Sequence, residues 1–213
     1  VGFQSGYKLT TGYSNIVVGR DAGVNLTDGA DNIAIGAYAL DAANLGEHQN
    51  IAIGTNALGT ETSGADGCVA IGHGALMDQN VVNAANTAVG YNAAMNLDDG
   101  VDNVFLGYQA CGSGVVTESG NVVIGKDAAL NATSMATSVF IGARAGSNDV
   151  VTGADNVVIG KDAGFDMTAA AASVIIGKDA GGNITTAENN VVIGKGAWST
   201  GVGAASGGAA GKY

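Results

Sequence analysis

Along this chain, runs of three apolar residues recur at nearly constant spacing, each preceded by a small polar residue and followed by Gly. The stretch Asn156-Val157-Val158-Ile159-Gly160-Lys161-Asp162-Ala163-Gly164 is representative. Close copies begin at Asn121, Ser173 and Asn190. The glycine that closes each run serves as an anchor, at Gly19, Gly36, Gly54, Gly72, Gly90, Gly107, Gly125, Gly142, Gly160, Gly177 and Gly194, with spacings of 17 or 18 residues. A partial copy opens the chain at Val1-Gly2-Phe3. Three residues are too few for a helix, and Val/Ile-rich runs bounded by Gly and Asn read as short strands. One short strand and its turns cannot bury a face alone. Stacking the copies does so, with each strand pairing with the next at ~4.8 Å. The pattern therefore predicts an all-β fold, a parallel β-solenoid (β-roll) of about twelve coils over residues 1–198. Ser199 to Tyr213 is rich in Gly, Ala and Ser, departs from the repeat, and reads as a C-terminal cap or linker.

Alternation along a strand sends the first and third residues of each run to one side and the middle residue to the other. The flanking pair is medium-sized and branched almost throughout, as in Ile33 with Ile35 or Val157 with Ile159, which suggests the coil interior. The middle column, Val17, Ala34, Ala52, Ala70, Ala88, Phe105, Val123, Phe140, Val158, Ile175 and Val192, is apolar as well. Strands apolar on both faces are buried on both faces. A stripe of that length is too large to leave in water. The middle column is accordingly expected to form an oligomer interface, with subunits closer near Ala34 to Ala88 than near Phe105 to Phe140. Val123→Asp is then expected to dissociate the oligomer.

The polar positions give the corners. The residue four before the anchor is Asn in eight copies (Asn15, Asn32, Asn50, Asn86, Asn103, Asn121, Asn156, Asn190), with Cys68, Ser138 and Ser173 in the others. It predicts an amide ladder in which each side chain bonds to the next coil. The anchor Gly suits the bend after the strand. Ala follows three residues later, and the remaining Asp, Asn, Thr, Ser and Gly are turn formers. After the anchor come a basic column (Arg20, Lys126, Lys161, Lys178, Lys195) and an acidic one (Asp21, Asp127, Asp162, Asp179). Exposed pairs of this kind contribute only ~0–1 kcal/mol each and read as solubility and edge protection.

Composition narrows the functional classes. Of 213 residues, 36 are Gly and none is Pro, and only 5% are aromatic although 46% are hydrophobic, which suits thin stacked layers better than a globular core. A net charge of −11 argues against nucleic acid, whose phosphates need a basic footprint, and against anionic lipid. No apolar run approaches the ~18 residues of a membrane span, so no membrane insertion is expected. The chain opens within a repeat, without an initiating Met or a signal peptide, and reads as a processed chain or a fragment. Cys68 and Cys111 lie at different repeat positions, too many layers apart for a disulfide, and read as free small hydrophobes.

The copies N-x-A-I-G-x-x-A-L (Asn32 to Leu40, Asn50 to Leu58) and N-x-V-I-G-K-D-A-G resemble the head repeats of trimeric autotransporter adhesins, and more closely the repeats of bacteriophage tail fibres. The resemblance covers Val1 to about Trp198 and draws its strength from copy number. It implies a left-handed parallel β-roll, three chains packed about one axis, and binding to surfaces such as host cells or matrix. The period here is longer than is usual in the adhesin heads, which implies a longer outer loop in each coil. No collagen-like stalk, heptad pattern or membrane anchor chooses between adhesin and fibre.

Candidate chemistry is sparse. I-G-x-x-A-x also fits one unit of the hexapeptide repeat of left-handed β-helix acyltransferases. The next two hexads place Gly59 and Ala65 where branched apolar residues belong, and His48 and His73 occupy different registers. No catalytic, cofactor or metal site is expected. The acidic loops around Asp28/Asp31, Asp98/Asp99/Asp102 and Asp155 invite Ca²⁺ by their clustered oxygens but lack the G-G-x-G-x-D pattern, and read as turns. Asn25-Leu26-Thr27, Asn131-Ala132-Thr133 and Asn183-Ile184-Thr185 are glycosylation sequons, all six residues after an anchor, so the repeat itself accounts for them. Ice binding would want a flat Thr-x-Thr ladder, which the sequence lacks. Tyr38, Tyr91 and Tyr108 are the few aromatics suited to stacking on sugars, and Trp198 reads as an end cap. The sequence thus points to a non-catalytic, homotrimeric fibre segment. Its partners are itself and a host-cell or matrix receptor, with glycan among the candidates, and its setting is extracellular, on a virion or a bacterial surface. A subunit of a self-assembling extracellular filament is the alternative, and an acyltransferase a remote one.

Overall fold

The computed structural model describes residues 1–42, 47–60, 65–79, 84–186 and 188–199, together with the backbone of Gly208–Gly211. The fold is all-β, a parallel β-solenoid, and no helix occurs among the described residues. Two compact units divide the chain, Val1–Asn103 and Val104–Tyr213. Unit 1 holds β1 (Ile16–Val18), β2 (Ile33–Ile35), β3 (Ile51–Ile53), β4 (Val69–Ile71) and β5 (Thr87–Val89). Unit 2 holds β6 (Val104–Leu106), β7 (Val122–Ile124), β8 (Val139–Ile141), β9 (Val157–Ile159), β10 (Val174–Ile176), β11 (Asn190–Ile193) and β12 (Gly208–Gly211). Within each unit every strand pairs in parallel with the next, in a register that stacks equivalent residues: Ala34 on Ala52 on Ala70 on Ala88, and Val123 on Phe140 on Val158 on Ile175 on Val192. The register continues into the Gly/Ala-rich tail, where Asn190 lies beside Gly208.

The corners explain the invariant residues. Each anchor glycine has φ near +135°, and a Cβ on Gly19 would sit 2.3 Å from the carbonyl oxygen of Gly36 in the next coil. A side chain there is excluded both by the backbone conformation and by space. The N–H of the alanine three residues on donates back to the anchor carbonyl, as from Ala22 to Gly19, and the residue before that alanine has positive φ (Asp21 56°, Asn56 56°, Asp162 57°). Positive φ at the third residue only is the signature of a type II turn. The turn points its alanine inward, and the column from Ala22 to Ala180 is fully buried.

The asparagine ladder is present. Asn32, Asn50, Asn103 and Asn156 are fully buried. The side-chain oxygen of Asn15 accepts from the backbone N–H of Asn32 at 3.0 Å, and that of Asn32 from Asn50 at 2.9 Å. The amide nitrogen of Asn32 donates to the Glu47 carbonyl at 2.7 Å, and that of Asn156 to the Ala170 carbonyl at 2.7 Å. Ser138 and Ser173 keep the ladder by accepting from the N–H of Asn156 and Asn190, both at 3.1 Å. Each buried backbone group at this corner would otherwise lose its partner when the chain leaves the sheet.

The two strand faces are reversed relative to the sequence expectation. Ala34, Ala52, Ala70, Ala88, Phe105, Val123, Phe140, Val158, Ile175 and Val192 have no exposed surface in the single chain, and Val17 in the first complete coil is half-buried. These residues fill the coil and cannot form an oligomer interface; the expectation that subunits approach more closely near Ala34 to Ala88 falls with it. Alternation separates two faces but does not say which is inside. The expectation assumed that the interior needs branched bulk on every strand. The interior is in fact filled jointly by the strand, the alanine turn and the residues that follow it, so alanine suffices where a leucine faces it: Leu40, Leu58 and Leu76 are fully buried beside the small strand residues of unit 1.

Candidate interaction surfaces

With the middle column inside, the flanking columns face outward. In unit 1 they comprise Ile16, Val18, Ile33, Ile35, Ile51, Ile53, Val69, Ile71, Thr87 and Val89. In unit 2 they run as Val104/Leu106, Val122/Ile124, Val139/Ile141, Val157/Ile159, Val174/Ile176 and Val191/Ile193. Thr87 is the one polar residue among them. Ile16 is 51% exposed and Ile193 50%, whereas residues of internal strands are mostly half-buried. Ile16 lies on the first strand and Ile193 pairs with Gly211, which has no side chain to cover it; elsewhere, neighbours ~4.8 Å away on both sides cover much of an outward side chain. Each unit therefore carries a two-residue-wide apolar ribbon with no charge on it, although the chain as a whole is strongly acidic.

Charge collects beyond the anchor glycine. Adjacent residues pair at Arg20–Asp21 (3.7 Å), Lys126–Asp127 (3.6 Å), Lys161–Asp162 (3.0 Å) and Lys178–Asp179 (2.7 Å). The Lys178–Asp179 hydrogen bond raises the lysine pKa and lowers that of the aspartate; both groups lie in open solvent. The three tyrosines considered for sugar stacking each have a local cover. Arg20 lies 4.7 Å over Tyr38, Lys126 5.6 Å over Tyr108, and His73 stacks on Tyr91 at 5.1 Å.

The residues that invited chemistry serve the backbone. His48 Nδ1 accepts from the N–H of Ala30 at 3.0 Å, while His73 stacks on Tyr91, so the two histidines have separate structural tasks. Asp31, Asp102 and Asp155 have φ of 57° to 60° and act as turn formers. Among the described residues no group of three or more His, Cys, Asp or Glu is placed to hold a metal ion, and no helix is long and apolar enough to cross a membrane. Each sequon asparagine bonds to the backbone of the next coil. Asn25 donates to the Asp41 carbonyl at 2.7 Å, Asn131 to the Ser147 carbonyl at 3.3 Å, and Asn183 to the Ser199 carbonyl at 2.6 Å. Cys68 and Cys111 are buried thiols outside any disulfide, and burial pushes the Cys111 thiol far above its usual range. Trp198 is half-buried in the last described turn.

Sequence reasoning missed Gln79. Where Cys68 interrupts the asparagine column, fully buried Gln79 donates to Cys68 Sγ at 3.3 Å and accepts from Asn86 Nδ2 at 3.0 Å. The break at Cys68 was the available signal, since a missing amide in a buried ladder requires a substitute. No family model, curated protein or solved structure matches the chain.

Proposed function

We propose that this chain is a non-catalytic structural and adhesive fibre segment, in which three copies pack their apolar ribbons about a common axis and present their polar faces to a surface receptor. The ribbon carries the reading. Burying a branched side chain is worth roughly 1.5–3 kcal/mol when it is fully exposed beforehand, and less for each half-covered member of a stack. Twenty-odd such residues still make a large association energy. The natural occupant is another copy of the chain, because only the same solenoid repeats its side chains at the same interval. The resemblance to tail-fibre and adhesin-head repeats supports an extracellular setting on a virion or a bacterial surface. The receptor is a host-cell or matrix component.

Sedimentation tests the association directly, with three chain masses expected. Ile124→Asp, on the ribbon, should weaken association at least ~100-fold, about 2.7 kcal/mol, while the β circular-dichroism signal persists. Val123→Asp, one residue away and inside the coil, should unfold its region instead, because it buries an unpaired charge. Lys126→Ala should do neither. A wild-type monomer, or an Ile124→Asp variant that associates normally, would sink the reading. Open-ended polymers would favour the filament.

A further inference from the structure

Unit 2 contains a groove that the ribbon does not use. It measures about 360 Å³ and is lined by Arg144, Asp162 and Asp179, each two residues after an anchor position, and by Asp166 and Asn183, each six after one. The column five residues after the anchor also lines it, with Gly182 and Ser199 small and Phe165 large. The groove exists because that column changes from a ring to a hydrogen atom within one coil.

The charges around it are balanced within the chain. Asp162 is reached by Arg144 Nε at 2.7 Å and by Lys161 Nζ at 3.0 Å, and Asp179 by Lys178 at 2.7 Å. Asp166 accepts from Asn148 Nδ2 at 2.7 Å. The Arg144 guanidinium also lies 5.3 Å from the centre of the Phe165 ring. Asp166 keeps its charge, but the cations Arg144, Lys161 and Lys178 balance the carboxylates Asp162, Asp166 and Asp179 around the groove, so a charged ligand meets no net opposite charge. A neutral ligand dense in hydroxyls finds carboxylate oxygens, an amide and a guanidinium there. The volume lies near the lower end for small-molecule sites.

We propose that this groove binds one or two rings of a neutral saccharide, with Asp166 and Asn183 meeting its hydroxyls. The biological meaning rests on the attachment reading above, but the binding does not. Saturation-transfer NMR on the intact chain with glucose, galactose, N-acetylglucosamine, maltose and lactose should show transfer to ring protons of at least one of them. Gly182→Leu should reduce that transfer at least fivefold. Gly182 lacks the positive φ of the anchors, and a Cβ there meets nothing nearer than 3.8 Å, so the side chain fills the groove without straining the backbone. Lys195→Ala should leave the transfer intact. Absence of transfer from every saccharide, transfer unchanged in Gly182→Leu, or transfer from putrescine alone would each overturn the proposal. Sedimentation of the same samples separates the two readings: a trimer without saccharide transfer loses the groove and keeps the fibre, and a monomer with transfer does the reverse.

Discussion

Three successive coils of unit 1 place alanine on the strand and leucine six residues later, in the pairs Ala34/Leu40, Ala52/Leu58 and Ala70/Leu76, whereas three successive coils of unit 2 invert the order with Phe140/Gly146, Val158/Gly164 and Ile175/Gly181; Val17/Gly23 of unit 1 follows the second order. The paired positions touch. A Cβ on Gly146 would lie 2.5 Å from the Phe140 ring, and one on Gly181 3.0 Å from Ile175 Cγ2. In these six coils a large residue at one position goes with a small one at the other, as close packing of a shared space requires. The two solutions differ in strain. The second position has positive φ in both units, 50° at Leu40, 47° at Leu58 and 60° at Gly146. Leucine there costs about 1–2 kcal/mol that glycine avoids. Unit 1 accepts that strain three times in exchange for a large buried side chain.

Transplanting the unit 1 solution into unit 2 has the largest expected effect. Phe140→Ala alone should destabilise its coils by about 3–5 kcal/mol. Gly146→Leu alone should cost at least ~3 kcal/mol by overpacking against the ring. The double variant recreates an alanine/leucine pair and should cost at least ~2 kcal/mol less than the sum, the coupling expected of residues in contact. Hydrogen exchange resolved by peptide is the right measurement, because repeat units open locally and a single unfolding energy is ill-defined for an oligomer. Additive costs would show that the pair does not share one space.

The reverse transplant is milder. Ala52→Val should cost about 1–3 kcal/mol against Leu58. Leu58→Gly loses a buried side chain but relieves the left-handed backbone, for a net cost of about 1–3 kcal/mol. Together they build the valine/glycine pair of Val158/Gly164, and the double should lie at least ~1 kcal/mol below the sum, read from exchange in peptides spanning β3. An effect larger than that of the Phe140/Gly146 set would reverse the ranking of the two interiors.

These pairs show what the sequence could and could not convey. Strand positions, glycine corners and the asparagine ladder repeat many times, so period alone located them. The direction of each strand face did not follow, because alternation is symmetric between inside and outside. The answer lay in Leu40 and Gly146, whose importance depends on a turn that brings the sixth residue back against the strand. The outward ribbon was legible as a second apolar face, though assigned to Val17 through Val192 instead of to Ile16, Val18 and their equivalents. The groove was not legible. It depends on Gly182 and Ser199 lying beside residues two and six after the anchors, which no spacing rule joins.

The smallest expected effect again separates the units, through pH. Asp41, in unit 1, has its carboxyl pKa raised from 3.8 to about 6, mainly by desolvation and further by the negative charge of Asp21, against the lowering effect of a backbone hydrogen bond. The folded state therefore binds more protons than the unfolded state between these values. The protonated form favours folding, so this contribution is fully present below about pH 4, is lost as pH rises through about 6, and changes little above that. The group is about half in solvent, and screening should hold the effect near ~1 kcal/mol. Hydrogen exchange around β2 should slow on going from pH 7 to pH 5 after correction for intrinsic rates. In Asp41→Asn that pH dependence should disappear and protection at pH 7 should rise severalfold. Exchange around β9 should show neither change. A pH dependence of equal size around β9, or one that survives Asp41→Asn, would assign the effect to the charge of the whole chain rather than to one carboxyl pressed into a crowded turn.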